Sequence, residues 1–147
     1  MSRAWLLVPL LALLAAPAAR AQPGQVSAEH VKAWLDAKRK MVLVDSRNAD
    51  EYAQAHLPGA ISIPADQTRA QAARLPRDKG TLLVFYCRGT GCTLSHASAA
   101  QAAELGYTYL LVYQGGMPDW LLKGYPVEKG PDPKAPRAPA ARPGASH

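Results

Sequence analysis

Cys87 and Cys92 stand five positions apart in the run Cys87-Arg88-Gly89-Thr90-Gly91-Cys92. An apolar run, Leu82-Leu83-Val84-Phe85-Tyr86, precedes them, and a segment with helical spacing from Leu94 to Leu105 follows. A strand that ends on a thiol, turns through two glycines and starts a helix makes a small cup of backbone N–H groups. Such a cup binds anions, because the first N–H groups of a helix lack internal partners and its dipole is positive at that end. The same field favours thiolate over thiol, and thiolate is the nucleophile. The local design is therefore an activated sulfur, Cys87, beneath an anion-binding loop made by Arg88, Gly89, Thr90, Gly91 and Cys92. Two plainer roles compete with it. A cysteine ending a strand is often core, and two cysteines in an exported chain form simple disulfides. A core role leaves Arg88, Thr90 and the two glycines unexplained.

The flanking elements must hold that loop in place. Ser27 reads as a helix N-cap with Glu29 in the first turn, followed by Val31, Trp34 and Leu35 at helical spacing. Lys38, Arg39 and Lys40 suit the negative end of that helix. Met41-Val42-Leu43-Val44 is a short continuous apolar run, the pattern of a strand buried on both faces. Asn48 or Asp50 caps a brief helix through Tyr52 and Ala55. Ala60 to Ile63 reads as a strand stopped by Pro64, and Gln67 to Leu75 as a weak surface helix. Thr81 to Tyr86 is the strongest strand. Ala97, Ala100 and Ala103 give the next helix a small packing face. Leu110 to Tyr113 is another strand, and Pro118 fits the first turn of a helix carrying Trp120 that Gly124 ends. Strands alternating with helices predict an α/β fold with a parallel sheet covered on both faces. Ligands bind such sheets at the carboxyl ends of the strands, where Cys87 stands.

The 147 residues suffice for one domain. Residues 1–21 read as a signal peptide: Arg3 gives a positive start, Ala4 to Ala16 is apolar apart from Pro9, and Ala19-Arg20-Ala21 is a small-x-small cleavage site. The apolar stretch is too short for a good membrane span. These features predict a periplasmic or secreted protein with a mature start at Gln22 and no stable membrane insertion after cleavage. Removing Arg3 and Arg20 from the 17 basic residues leaves 15 against 11 acidic, a net charge of +4. That suits small anions and is not a nucleic-acid footprint, so no nucleic-acid partner is expected. Residues 22–130 read as the domain. Residues 131–147, rich in Pro, Ala and Arg, read as a disordered tail.

Four stretches, in order, resemble the rhodanese family of sulfurtransferases. Asp45-Ser46-Arg47 with Glu51-Tyr52 looks like that family's strand-end Asp-x-Arg. His56-Leu57-Pro58-Gly59-Ala60 with Ile63-Pro64 is similar to its His-Ile-Pro-Gly-Ala segment. Tyr86-Cys87-Arg88 resembles its catalytic loop, and Gly115-Gly116-Met117 through Trp120 to Gly124-Tyr125-Pro126 its closing motif. The resemblance implies a rhodanese-like three-layer sandwich with a five-stranded parallel sheet. It implies that Cys87 carries a persulfide between a small anionic donor, such as thiosulfate, and a thiol or cyanide acceptor, with no metal or organic cofactor. Asp45, Arg47, Glu51 and His56 read as a structural polar network rather than as acids or bases. Metal ligation by Cys87, Cys92 and His96 lacks a fourth ligand. Nothing in the chain demands more than a monomer.

The loop departs from the family pattern at its last position, where Arg, Thr or Ser is more usual than Cys92. Thr93 stands where a related phosphatase loop carries its phosphate-gripping arginine, which disfavours phosphatase chemistry. Ser95, on the first helical turn, completes a Cys-x4-Cys…Ser form similar to exported members of the family. Cys92 also opens a second class of function. As a candidate resolving thiol it would make the pair a thiol–disulfide redox or sensor module with a periplasmic redox partner.

Overall fold

The computed structural model describes residues 19–137. Five strands form one sheet in which every pairing is parallel: β1 (Gly24–Gln25), β2 (Val42–Asp45), β3 (Ile61–Ser62), β4 (Leu83–Tyr86) and β5 (Leu110–Tyr113), in the order β1-β5-β4-β2-β3. The helices are α1 (Ala28–Asp36), α2 (Ala49–Gln54), α3 (Leu94–Glu104) and α4 (Gly116–Leu122). This is the α/β sheet that the alternating pattern predicts, and its five strands match the expected number.

Alternation along the strands splits the core into two layers. Leu43, Val84, Tyr86 and Tyr113 face one side, with Val31, Met117 and Trp120 from α1 and α4. Val44, Leu83, Phe85 and Val112 face the other, with Ala99 and Ala102 of α3. The α3 packing face is Ser95, Ser98, Ala99, Ala102 and Ala103, so the expected stripe is rotated: Ala97 and Ala100 are exposed. Small side chains let α3 sit close to β4 and β5.

Local chemistry explains the helix ends. Ser27 accepts a hydrogen bond from the His30 N–H and starts α1. That helix stops at Asp36, before the basic cluster, because Lys38 takes a left-handed φ of 51°. Arg39 then turns back over the Trp34 ring at 4.5 Å. Asn48 caps α2 in a capping box with Glu51. The helix expected over 67–75 is replaced by two 3-10 turns, Ala65–Gln67 and Ala72–Arg74. The Thr68 hydroxyl donates to the Ala65 carbonyl at 3.3 Å, a side-chain bond that competes with continued helix.

The segment expected as a disordered tail begins as a docked turn. The Asp132 carboxylate accepts the Ser62 N–H at 2.8 Å and pairs with Arg74. Burial opposes its charge, but the N–H groups of Ser62 and Lys134, with Arg74, outweigh it and hold its pKa below the usual range. These contacts cover the exposed edge at β3. The rest of the tail call, from residue 138, lies outside the described residues, as does most of the signal-peptide call, residues 1–18. Among the described residues no helix is long and apolar enough to cross a membrane.

Candidate active site

β4 is central in the sheet, and Tyr86 is its last residue, so Cys87 emerges at the carboxyl end between β2 and β5. It is 1% exposed. Gly89 and Gly91 take φ of 110° and 89°, a region that costs other residues Cβ clashes. The Cys92 N–H donates to the Gly89 carbonyl at 3.0 Å and closes the turn. The N–H groups of Arg88, Gly89, Thr90 and Gly91 meet no acceptor among the described residues. Thr93, the residue before α3, makes no side-chain cap, so the positive end of the helix is left open to the loop.

The loop folds Cys92 back onto Cys87, and the two are joined as a disulfide with their Cα atoms 6.5 Å apart. The Ser95 hydroxyl lies 3.3 Å from the Cys87 sulfur. His96 is exposed on α3. No cluster of three metal-ligating side chains occurs among the described residues.

A second segment clamps the loop from outside. The Met117 N–H, at the start of α4, donates to the Cys87 carbonyl at 3.1 Å. Gly116, with φ of 59°, passes so close that a Cβ there would stand 2.3 Å from the Cys87 carbonyl oxygen and 2.7 Å from the Gly89 nitrogen. Glycine is required for that approach. An open cleft of about 610 Å³ lies along the join, lined by Arg88, Gly89, Thr90, Gly115, Pro118, Asp119 and Leu122.

The expected polar network divides in two. Asp45 and Arg47 are both buried and form a forked pair, Nε to Oδ1 at 2.9 Å and an Nη to Oδ2 at 2.6 Å. Burial disfavours the Arg47 cation, but Asp45 overcomes that cost and raises its pKa. The Tyr86 hydroxyl donates to Asp45 at 2.8 Å and accepts the Leu57 N–H at 3.1 Å. Burial, and then the Asp45 charge, push the Tyr86 phenol far above its ordinary range, so it stays protonated as a donor. Tyr86 was the missing member, and a tyrosine closing an aliphatic strand beside Asp45 is the signal for it.

Glu51 makes no hydrogen bond to Arg47. It holds Arg88 in a forked pair, with both bonds at 2.7 Å. The Arg88 bonds lower the Glu51 pKa and Glu51 raises that of Arg88. Arg88, expected as part of the anion-binding loop, is thus tied to α2. His56 bonds backbone, as expected of a structural residue, through its Nδ1 to the Tyr52 carbonyl at 2.8 Å. Its ring stacks on Tyr52 with centroids 3.7 Å apart.

The comparisons agree with this geometry. A family model described as Rhodanese-like domain matches residues 27–123. An HTH-type transcriptional regulator of Mycobacterium tuberculosis is 35% identical over 91 residues, 62% of this chain and 39% of the regulator. The Probable adenylyltransferase/sulfurtransferase MoeZ of the same species is 32% identical over 111 residues, 74% of this chain and 27% of MoeZ. The chain thus spans well under half the length of these curated relatives. The solved thiosulfate sulfurtransferase from Pseudomonas aeruginosa is similar with a TM-score of 0.64 at 28% identity, over 74% of this chain and 20% of that one. A buried cysteine sulfur under an N–H loop, on this sheet order and inside a match covering well over half the sequence, leads to one conclusion: the chain belongs to the rhodanese-like domain family.

Proposed function

We propose that this protein is an exported sulfurtransferase. It takes a sulfane sulfur from a small anionic donor of the thiosulfate type and passes it, as a Cys87 persulfide, to a thiol or to cyanide. The observation that carries the reading is the buried Cys87 sulfur at the end of β4, beneath N–H groups at 88–91 that meet no acceptor among the described residues. The Cys87 thiolate attacks the outer sulfur of the donor and sulfite leaves. The loop N–H groups stabilise the donor oxygens and then the charge on the persulfide. Ser95, 3.3 Å from the Cys87 sulfur, supplies a hydroxyl that stabilises the thiolate. A sulfurtransferase among the relatives and another among the solved structures support this chemistry.

The test is thiocyanate formation from thiosulfate and cyanide by the reduced protein. Cys87→Ser abolishes it; undiminished turnover in that variant removes Cys87 from the carrier role. Export rests on residues 1–21. Intact mass of the protein recovered from the periplasm or medium should correspond to a start at Gln22, and a mass that includes Met1 overturns cleavage.

The disulfide between Cys87 and Cys92 supports a second reading, a thiol–disulfide redox or sensor module. In that case the reduced protein exchanges disulfides with a dithiol partner but takes up no sulfur from thiosulfate.

A further inference from the structure

The loop that holds Cys87 also holds a second cysteine, Cys92. Gly89 and Gly91, both at positive φ, and the turn from the Cys92 N–H to the Gly89 carbonyl bring Cys92 back over Cys87. The Cys92 sulfur is bonded to the Cys87 sulfur in a structure where the sheet and α3 are fully formed. Access is unequal. Cys87 is 1% exposed, whereas Cys92 is only half-buried. An external thiol must reach a sulfur that is almost wholly buried, while Cys92 is already there at high effective concentration.

We propose that Cys92 resolves the Cys87 persulfide within the loop, so that the protein releases inorganic sulfide and ends each turnover as the Cys87–Cys92 disulfide. This rests on the sulfurtransferase reading and names the acceptor in it. In the first step Cys87–S⁻ attacks the outer sulfur of thiosulfate, giving Cys87–S–S⁻ and sulfite. In the second, Cys92 attacks the inner sulfur, that of Cys87. The bond to the outer sulfur breaks, and that sulfur leaves with the electron pair and the Cys92 proton as HS⁻. The outer sulfur is reduced, and the two cysteine sulfurs are oxidised to the disulfide. A dithiol reductant then restores both thiols by exchange, starting at the more accessible Cys92. Transfer and redox chemistry become consecutive halves of one cycle. The net reaction is reduction of a sulfane sulfur to sulfide at the expense of a dithiol.

The experiment is a single turnover. The protein is reduced, freed of reductant and mixed with thiosulfate without any acceptor; sulfite, sulfide and intact mass are followed. Wild type is expected to release sulfite and sulfide in equal amounts and to finish as the disulfide, about two mass units lighter than the reduced form. Cys92→Ser is expected to release sulfite, stop as the persulfide about 32 mass units heavier, and lose at least ~10-fold in sulfide release. Wild type that stops as a stable persulfide overturns the inference and leaves the sulfurtransferase reading standing. Equal sulfide release by Cys92→Ser does the same. Neither sulfite nor added mass in either protein overturns both. Cys92→Ala, run in parallel, shows that the outcome follows from loss of the thiol and not from the introduced hydroxyl.

Discussion

Arg88 and Glu51 are joined by two parallel hydrogen bonds of 2.7 Å, and that pair decides the charge at the mouth of the Cys87 loop. Arg88 is the one charged residue between Cys87 and Cys92. With its cation held by a carboxylate, attraction of the proposed anionic donor would fall mainly to backbone N–H groups and the start of α3. The guanidinium acts first as a strut between the loop and α2. About half of it is exposed, so the pair itself contributes little to stability.

The pair should therefore act on donor binding in opposite directions. Arg88→Ala leaves the Glu51 charge unbalanced near the loop, and KM for thiosulfate is expected to rise roughly three- to tenfold. Glu51→Gln frees Arg88 and should lower KM at low salt. That gain should vanish at ~1 M salt, where screening shortens to about 3 Å. Steady-state kinetics at two ionic strengths read both effects. A rise in KM in both variants would falsify the electrostatic role and leave only the strut.

Acid should undo the docked turn at Asp132. Its folded pKa lies below the unfolded one, so its stabilising contribution is complete above about pH 5. The contribution is lost as pH falls through the folded value. Asp132→Asn is expected to cost about 1–3 kcal/mol in urea unfolding at pH 7, where Ser62 and Arg74 lose a charged partner. The gap to wild type should shrink towards pH 2. A gap that is constant with pH sinks the ionic account.

Gly116→Ala should damage the site more than a surface glycine change. The new Cβ would collide with the Cys87 carbonyl and the Gly89 nitrogen, and the residue would also hold a strained φ of 59°. Thiocyanate formation is expected to fall at least ~10-fold, because a displaced loop misplaces the nucleophile. Gly130→Ala, also at positive φ but with nothing within 4 Å of its added carbon, is the comparison. Equal activity in the two variants rules out the close approach as the cause.

Tyr86→Phe tests the buried network under the loop. It strips Asp45 of one donor and leaves the Leu57 N–H without its acceptor. The expected cost is about 1–3 kcal/mol by urea denaturation. Activity per folded molecule should change little, since the hydroxyl bonds Asp45 and Leu57 and the ring packs in the core. A large loss in kcat with unchanged stability would instead place Tyr86 in the chemistry.

The sequence was most legible where burial or capping is local. Leu43-Val44 and Leu83 to Tyr86 are continuous apolar runs because both faces of the sheet are covered. Ser27 and Asn48 announce α1 and α2 because their side chains bond the first turn. The Cys87 loop was readable from its glycines. Gly24–Gln25 was not readable as a strand, because pairing with Leu111 and Val112 alone makes it one. The Arg88–Glu51 pair spans 37 positions, and no local pattern encodes such a match. The docking of Asp132 was hidden for a related reason. A Pro/Ala-rich composition denies a core, yet one carboxylate meeting Ser62 and Arg74 suffices to fasten the turn.

The bond from the Met117 N–H to the Cys87 carbonyl bears on the order in which the molecule is completed. Cys87 is synthesised before the segment that clamps it. A nascent chain that has reached only α3 already carries both thiols but has neither Gly116 nor the Met117 clamp. Its cysteines are then free to meet oxidants or each other before the cup has its shape. The loop thus gains its clamp only once α4 has been made and has docked.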